Sequence, residues 1–156
     1  SKNHIQAFPE YGPERAGAPV QAYVRISKKV IKSYAPISHP DLVVVIDPTL
    51  IKSVNVSEGL DAQGVLLINS NRDKDIIKKE VGFEGKVYVI DASKIAIELL
   101  KKDIANTVLL GATAKLVNLI EFKNIVKVIE EQFVKKIGKE KAELNVEAAK
   151  RGYSLL

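Results

Sequence analysis

A nine-residue segment near the N-terminus places charged side chains on a stiff backbone. Residues 9–17, PEYGPERAG, contain two prolines and two glycines, which predicts a special, non-helical path. Such stiffness lowers the entropy lost when Glu14 and Arg15 engage a partner, and the arginine can clamp a phosphate or carboxylate through paired hydrogen bonds. Residue types alone leave two interpretations open: a binding loop that uses Gly12, Glu14, Arg15 and Gly17, or a structural turn.

Polar side chains also follow three predicted strands at the centre of the chain. The strands are the apolar runs LVVVI at 42–46, VLLI at 65–68 and VYVI at 87–90. Their spacing of about twenty residues predicts parallel strands joined by right-handed helical crossovers. Asp47, Asn69 and Asp91 come after these strands, where open parallel sheets tend to bind ligands. Helix capping by the aspartates and a turn at Asn69 explain the same residues without a ligand, and we favour that explanation.

Helix signals lie between and after the strands. Asp47 precedes Pro48, and Asp91 precedes Ala-Ser-Lys; both patterns are typical of helix N-termini. An apolar stripe at helical spacing predicts an amphipathic helix that ends at Gly138. The stripe consists of Phe122, Ile125, Val126, Ile129 and Phe133.

Two other segments are predicted to be helical on weaker patterns. Residues 106–115, NTVLLGATAK, contain small side chains that would let another backbone approach closely. Residues 139–156 have only a blurred apolar face, and we expect that helix to pack loosely or against a partner.

The first forty residues differ from the rest. Residues 5–8 and 18–26 predict two strands, with apolar and polar side chains alternating in the second. The expected fold class is therefore α/β: three layers, a mainly parallel sheet flanked by helices, and an N-terminal β-hairpin-like region. We expect residues 1–156 to form a single domain.

Composition excludes several kinds of site. The chain has no cysteine, so it offers no disulfide framework, no cysteine nucleophile and no thiolate ligands for an iron–sulfur cluster. The two histidines, His4 and His39, are too few and too far apart for a multi-histidine zinc site. The phosphate-binding and nucleophile-elbow motifs GxGxxG, GxxxxGK[ST] and GxSxG are absent. No apolar run approaches the length of a membrane span, and we expect a cytoplasmic protein.

The net charge of +5 and the pI near 9.3 raise the possibility of a nucleic-acid ligand. The lysines stand mostly beside acids, as in residues 135–141, and aromatic residues make up 6% of the chain. We interpret the charge as a solvated basic surface and expect no nucleic acid. Abundant Ile, Val, Lys and Glu without Cys or Met is typical of a thermophilic source.

One long string resembles a known family signature. Residues 6–27, QAFPEYGPERAGAPVQAYVRIS, resemble the gamma subunit of pyruvate and ketoisovalerate ferredoxin oxidoreductases, in which F-P-x-x-G-x-E-R-x-G-A-P-V precedes a strand ending in R-I. The resemblance continues in order through HPDLVVVID at 39–47, GVLLINS at 64–70, VYVIDASKIA at 87–96, NTVLLGATAK at 106–115 and NVEAAKRGY at 145–153. Two features depart from the family. The chain begins after the usual first strand and glycine-rich G-R-x-G-Q-G turn, so we expect it to be N-terminally incomplete, and Ala16 stands where another arginine is common.

The resemblance implies a function within a complex. Such complexes oxidatively decarboxylate pyruvate or a related 2-oxoacid on thiamine diphosphate with Mg, pass electrons through [4Fe-4S] clusters to ferredoxin, and transfer the acyl group to coenzyme A. Alpha, beta and delta subunits are the implied partners, with no cofactor bound by this chain alone, no catalytic residue in it and no activity when isolated. Gly12, Glu14, Arg15 and Gly17 would face the coenzyme A channel or a subunit interface. The alternative is an autonomous α/β module that binds a small molecule or nucleotide.

Overall fold

The computed structural model of the chain describes residues 3–10, 19–117 and 119–156. Their contacts separate into two compact units, Ser1–Pro40 and Asp41–Leu156. Each unit has its own sheet, and the single domain over 1–156 stays a prediction.

The first unit is built on an antiparallel pair, β1 (His4–Glu10) and β2 (Gln21–Ser27). Its register sets Phe8 opposite Tyr23, with ring centroids 5.4 Å apart. The Tyr23 hydroxyl donates a 2.6 Å hydrogen bond to Glu10, and this bond raises the pKa of Tyr23 because the proton is held against a carboxylate. The predicted hairpin-like region is confirmed.

The second unit contains three parallel strands in the order β3-β4-β5. They are β3 (Leu42–Val45), β4 (Val65–Asn69) and β5 (Lys86–Ile90). The register pairs Leu42 with Val65 and Val65 with Lys86. All three strands coincide with the predicted apolar runs to within one residue at each end, because β-branched runs favour strands buried on both faces.

Helices surround this sheet. A short 3-10 helix covers Pro48–Lys52, and the α-helices are α1 (Lys74–Val81), α2 (Ala92–Leu100), α3 (Asn106–Val117), α4 (Phe122–Ile137) and α5 (Lys139–Ser154). The boundary between α4 and α5 is Gly138, whose φ of +85° suits a residue without Cβ. None of the helices in the described residues has the length and hydrophobicity that crossing a bilayer requires.

Two apolar clusters pack on opposite faces of the parallel sheet. Leu67 points to the side of α2, α3 and α5, where Ala96, Val108 and Leu109 are buried. Its neighbours Leu66 and Ile68 face Ile77 of α1 and Phe83 on the other side, together with Val87. The expected three-layer α/β architecture is confirmed.

Residues 139–156 were expected to pack loosely or against a partner, and the first of these alternatives is wrong. A Cβ added to Gly111 of α3 would lie 1.9 Å from the carbonyl oxygen of Ala149 in α5, and one added to Gly152 would lie 1.9 Å from that of Val108. The two helices thus touch through their backbones, which confirms the close approach predicted for residues 106–115. The apolar face of α5 is blurred because alanine and glycine, its main contact residues, contribute little to a hydrophobic pattern.

Candidate functional site at the carboxyl ends of the strands

Most of the predicted binding loop lies outside the described residues; its first two residues, Pro9 and Glu10, belong to β1. Gly12, Glu14, Arg15 and Gly17 all belong to residues 11–18, and their role stays a prediction. The strand-end residues Asp47, Asn69 and Asp91 are described.

Asn69, the last residue of β4, is buried at 4% exposure beneath the strand ends. Its Nδ2 donates to the Ile46 carbonyl at 2.9 Å and to Ser93 Oγ at 3.0 Å. Its Oδ1 accepts from the backbone N–H groups of Ala92 at 3.0 Å and Ser93 at 3.2 Å. These four bonds use the whole hydrogen-bonding capacity of the amide. Asn69 therefore fastens the end of β3 to the first turn of α2, which is more than the turn expected at this position.

The two aspartates cap the helices that follow them. Asp47 Oδ1 accepts from Thr49 N at 2.9 Å and from Thr49 Oγ1 at 2.7 Å. These bonds favour the ionised carboxylate and lower the pKa of Asp47. Asp91 Oδ1 accepts from Lys94 N at 2.9 Å at the start of α2. The predicted capping by both aspartates is confirmed, and whether they also meet a ligand stays a prediction.

Ser93 is a further residue of this site that sequence reasoning did not single out. Its hydroxyl and its backbone N–H both contact Asn69, 24 positions away along the chain. No pattern in the neighbouring sequence predicts this contact between Ser93 and Asn69, because the parallel topology of the strands brings the first turn of α2 to the end of β4.

A surface depression of about 370 Å³ adjoins Asp91, and a second of about 320 Å³ lies next to it. The first is lined by Val89, Ile90, Asp91, Lys94, Ile95, Glu98 and Leu155. Arg151, which lines the second, pairs with Glu98 at 3.1 Å and with Glu147 at 3.9 Å. The charged groups around these depressions thus mostly neutralise one another.

The strand-end site is better suited to positioning than to reaction chemistry. All hydrogen-bonding positions of the Asn69 amide are occupied, and each aspartate accepts a hydrogen bond through one carboxylate oxygen from the helix that it caps. Within residues 3–10, 19–117 and 119–156, no three His, Cys, Asp or Glu side chains gather closely enough to hold a metal ion.

Comparison with protein families gives one match over almost the whole chain. Residues 1–155 match the family described as pyruvate ferredoxin/flavodoxin oxidoreductase. The match covers both structural units and so confirms the resemblance seen in the sequence.

Individual relatives show the same similarity. The chain is 43% identical over 150 residues to the pyruvate synthase subunit PorC of Thermotoga maritima, covering 96% of this chain and 78% of that protein. It is 38% identical over 151 residues to the pyruvate/ketoisovalerate oxidoreductases common subunit gamma of Pyrococcus furiosus, covering 96% and 80%. The organisms of these relatives fit the thermophilic composition.

A solved structure has the same fold. The crystal structure of the Thermotoga maritima pyruvate oxidoreductase subunit PORC (EC 1.2.7.1) superimposes with a TM-score of 0.84 at 38% identity, covering 97% of this chain and 79% of that one. The mixed α/β fold is therefore that of a crystallographically known relative.

Proposed function

Because the chain belongs to the pyruvate ferredoxin/flavodoxin oxidoreductase family, we propose that it is the gamma subunit of a complex that oxidises pyruvate or a related 2-oxoacid to the acyl-coenzyme A. The observation that carries this proposal is the 43% identity to a pyruvate synthase subunit over 150 residues, which cover 96% of this chain. The alternative, an autonomous α/β module that binds a small molecule or nucleotide, has no comparable observation in its favour.

The redox and decarboxylation chemistry is assigned to other chains. Thiamine diphosphate with Mg and the [4Fe-4S] clusters are proposed to belong to alpha, beta and delta subunits, which deliver electrons to ferredoxin. Iron–sulfur clusters need cysteine thiolates, and these 156 residues contain none. This chain contributes a scaffold to a cytoplasmic complex, and we assign it no role with nucleic acid or membrane.

The loop of residues 9–17 is the proposed contact with coenzyme A or with a neighbouring subunit. Arg15 supplies a guanidinium that pairs with phosphate or carboxylate oxygens. Glu14 orients it, and Gly12 and Gly17 allow the backbone to turn. The rim of Asp47, Asn69 and Asp91 is assigned mainly to positioning, since hydrogen bonds to α2 and the 3-10 helix occupy its polar atoms.

Intact-mass measurement of the purified native protein with its co-purifying chains tests the proposed function. Recovery with partner chains that carry thiamine diphosphate and iron–sulfur clusters is the expected result. Recovery as a lone monomer would contradict the assignment. Ligand-dependent thermal shifts of that monomer with nucleotides would then favour the autonomous module.

A further inference from the structure

Most of the net positive charge of the chain lies in its first forty residues. Six basic and two acidic side chains give residues 1–40 a charge of +4, whereas eighteen basic and seventeen acidic side chains give residues 41–156 a charge of +1. No Asp or Glu occurs between Glu14 and Asp41. The three lysines in this acid-free stretch, Lys28, Lys29 and Lys32, follow β2 in one loop. We call residues 28–36 the lysine loop.

The lysines of this loop have no acidic partner in the described structure. All three side chains are exposed, and every ion pair found among the described residues involves other groups. In residues 41–156, which we call the helical unit, some lysines do pair with an acid, as Lys127 does with Glu131 at 3.7 Å. The charge of the lysine loop is therefore available to an external acidic group.

Two large side chains in the same loop are unusually exposed. Val30 is 64% exposed and Tyr34 is 84% exposed. Tyrosine side chains are enriched in the buried cores of protein–protein interfaces, and the rims of such interfaces are polar.

Arg25 holds the lysine loop in one shape. Its guanidinium, on β2, donates to the carbonyl of Pro36 at 3.2 Å and to that of Ala35. A third bond to Gln6 Oε1 at 2.9 Å ties it to β1, and the guanidinium carbon lies 5.5 Å from the centroid of the Phe8 ring. A loop without regular secondary structure is thereby anchored to the hairpin, which lowers the entropy lost when it binds.

We propose that the lysine loop is a docking surface for an acidic face of a neighbouring subunit of the oxidoreductase, an inference that rests on the proposed function. Lys28, Lys29 and Lys32 would meet the acidic groups and set orientation and association rate, while Val30 and Tyr34 lose their exposure to water in the contact. A protein occupant is favoured over nucleic acid because the relatives that this chain matches are named as subunits of oxidoreductases. Tyr34 also offers a ring on which a base could stack, so DNA binding is one arm of the test.

The test uses the purified complex with a tag on this chain. The complex is immobilised through a partner subunit, and release of the tagged chain is followed as salt is raised. Replacing the three lysines (K28Q/K29Q/K32Q) should weaken retention by roughly tenfold, since each exposed ion pair contributes modestly, and should flatten the salt dependence. The matched control, K127Q/K135Q/K136Q, removes the same charge from α4 and should leave retention unchanged.

Two further variants distinguish the contribution of the lysine charges to binding from that of the shape of the loop. Tyr34→Ala should speed release at every salt concentration without changing the salt dependence, because it removes an uncharged contact. Arg25→Lys keeps the charge and loses the planar fork that holds two carbonyls, so it should weaken retention less than the triple variant.

Specific outcomes would overturn the docking surface. Equal retention of the lysine and control triple variants would overturn it while leaving the proposed function intact. A wild-type chain that never assembles with partner subunits would overturn both. Binding of nucleic acid is measured by the fluorescence anisotropy of a labelled single-stranded 20-mer DNA. If K28Q/K29Q/K32Q lost DNA binding while its retention by the partner subunit stayed unchanged, the loop would be assigned to nucleic acid instead.

Discussion

The two units of this chain differ in how they are stabilised. The unit from Asp41 to Leu156 has three parallel strands, with Leu66, Leu67 and Ile68 fully buried between layers of helices. In the unit from Ser1 to Pro40, none of the described residues is buried. Its hairpin exposes Ile5 at 60% and Val24 at 59%, and a two-stranded hairpin is marginal by itself in water.

This difference suggests that one unit provides the stable scaffold and the other provides the proposed binding contacts. The helical unit (residues 41–156) can be ordered by its own core. The hairpin unit (residues 1–40) relies on surface hydrogen bonds, such as those from Tyr23 to Glu10 and from Arg25 to the lysine loop. The proposed contacts, the loop of residues 9–17 and the lysine loop, both belong to the hairpin unit. We therefore expect mutations in the helical unit to change stability, and mutations in the hairpin unit to change binding.

The largest effect on stability is expected at the junction of α3 and α5. Gly111→Ala would force a methyl group to within 1.9 Å of the Ala149 carbonyl oxygen, so the helices must separate. We expect a loss of about 3 kcal/mol or more in the free energy of unfolding, measured with denaturant. Gly82→Ala is the control, since no atom lies within 4 Å of the added Cβ and only its φ of +68° is unfavourable. Equal losses in the two variants would show that the helices do not interlock.

A smaller effect is expected at the end of β4. Asn69→Ala would leave the Ile46 carbonyl and the N–H groups at the start of α2 without their partner. We expect a loss of about 2–4 kcal/mol, because buried polar groups left unpaired are costly. Asn71→Ala, at an exposed position two residues away, is the control and should change the free energy of unfolding little. A comparable loss in both would contradict the fastening role of Asn69.

Sequence patterns predicted the scaffold well where the signal is local. The runs at 42–46, 65–68 and 87–90 became β3, β4 and β5 because β-branched residues favour buried strands. Asp47 and Asp91 became N-caps because a carboxylate directly before a helix satisfies its free N–H groups.

Long-range contacts were harder to predict. Gly111 and Ala149 meet across 38 positions, and neither residue type carries a hydrophobic signal. Asn69 finds Ile46 and Ser93 only once the strands are in register. The lysine loop can be recognised in the sequence as a stretch without acidic residues. The hydrogen bonds by which Arg25 sets its shape could not be predicted from the sequence.

In the hairpin unit, Arg15→Ala tests whether the loop of residues 9–17 binds coenzyme A or a subunit. Losing a charge-assisted pair to phosphate should weaken coenzyme A binding to the complex by about tenfold or more. If the loop faces a subunit instead, assembly should weaken by a similar factor. Arg72→Ala, which removes a 2.6 Å ion pair with Glu80 in the helical unit, should change neither. Unchanged coenzyme A affinity and unchanged assembly in the Arg15 variant would exclude the loop from both roles.

The smallest effect concerns the surface tie between Tyr23 and Glu10. The hydrogen bond to Glu10 raises the pKa of Tyr23 above its ordinary value of 10.0. A raised folded-state pKa means that the stabilisation is fully present below pH 10.0 and is lost as the pH rises through the folded-state value. In a spectrophotometric titration, the difference between wild type and Tyr23→Phe should therefore show a tyrosine that ionises above pH 10.0.

Glu10→Gln is the matched control for this titration, because it keeps a hydrogen-bond acceptor and removes the negative charge. It should move the ionisation of Tyr23 to lower pH, while the unfolding of the helical unit in denaturant stays unchanged. If Tyr23 titrated identically with and without the Glu10 carboxylate, the hydrogen bond to Glu10 would not be the cause of the raised pKa. If Glu10→Gln also lowered the stability of the helical unit, the division into a stabilising unit and a binding unit would be contradicted. An exposed hydrogen bond in the hairpin would then support a core to which none of the described hairpin residues contributes a buried side chain.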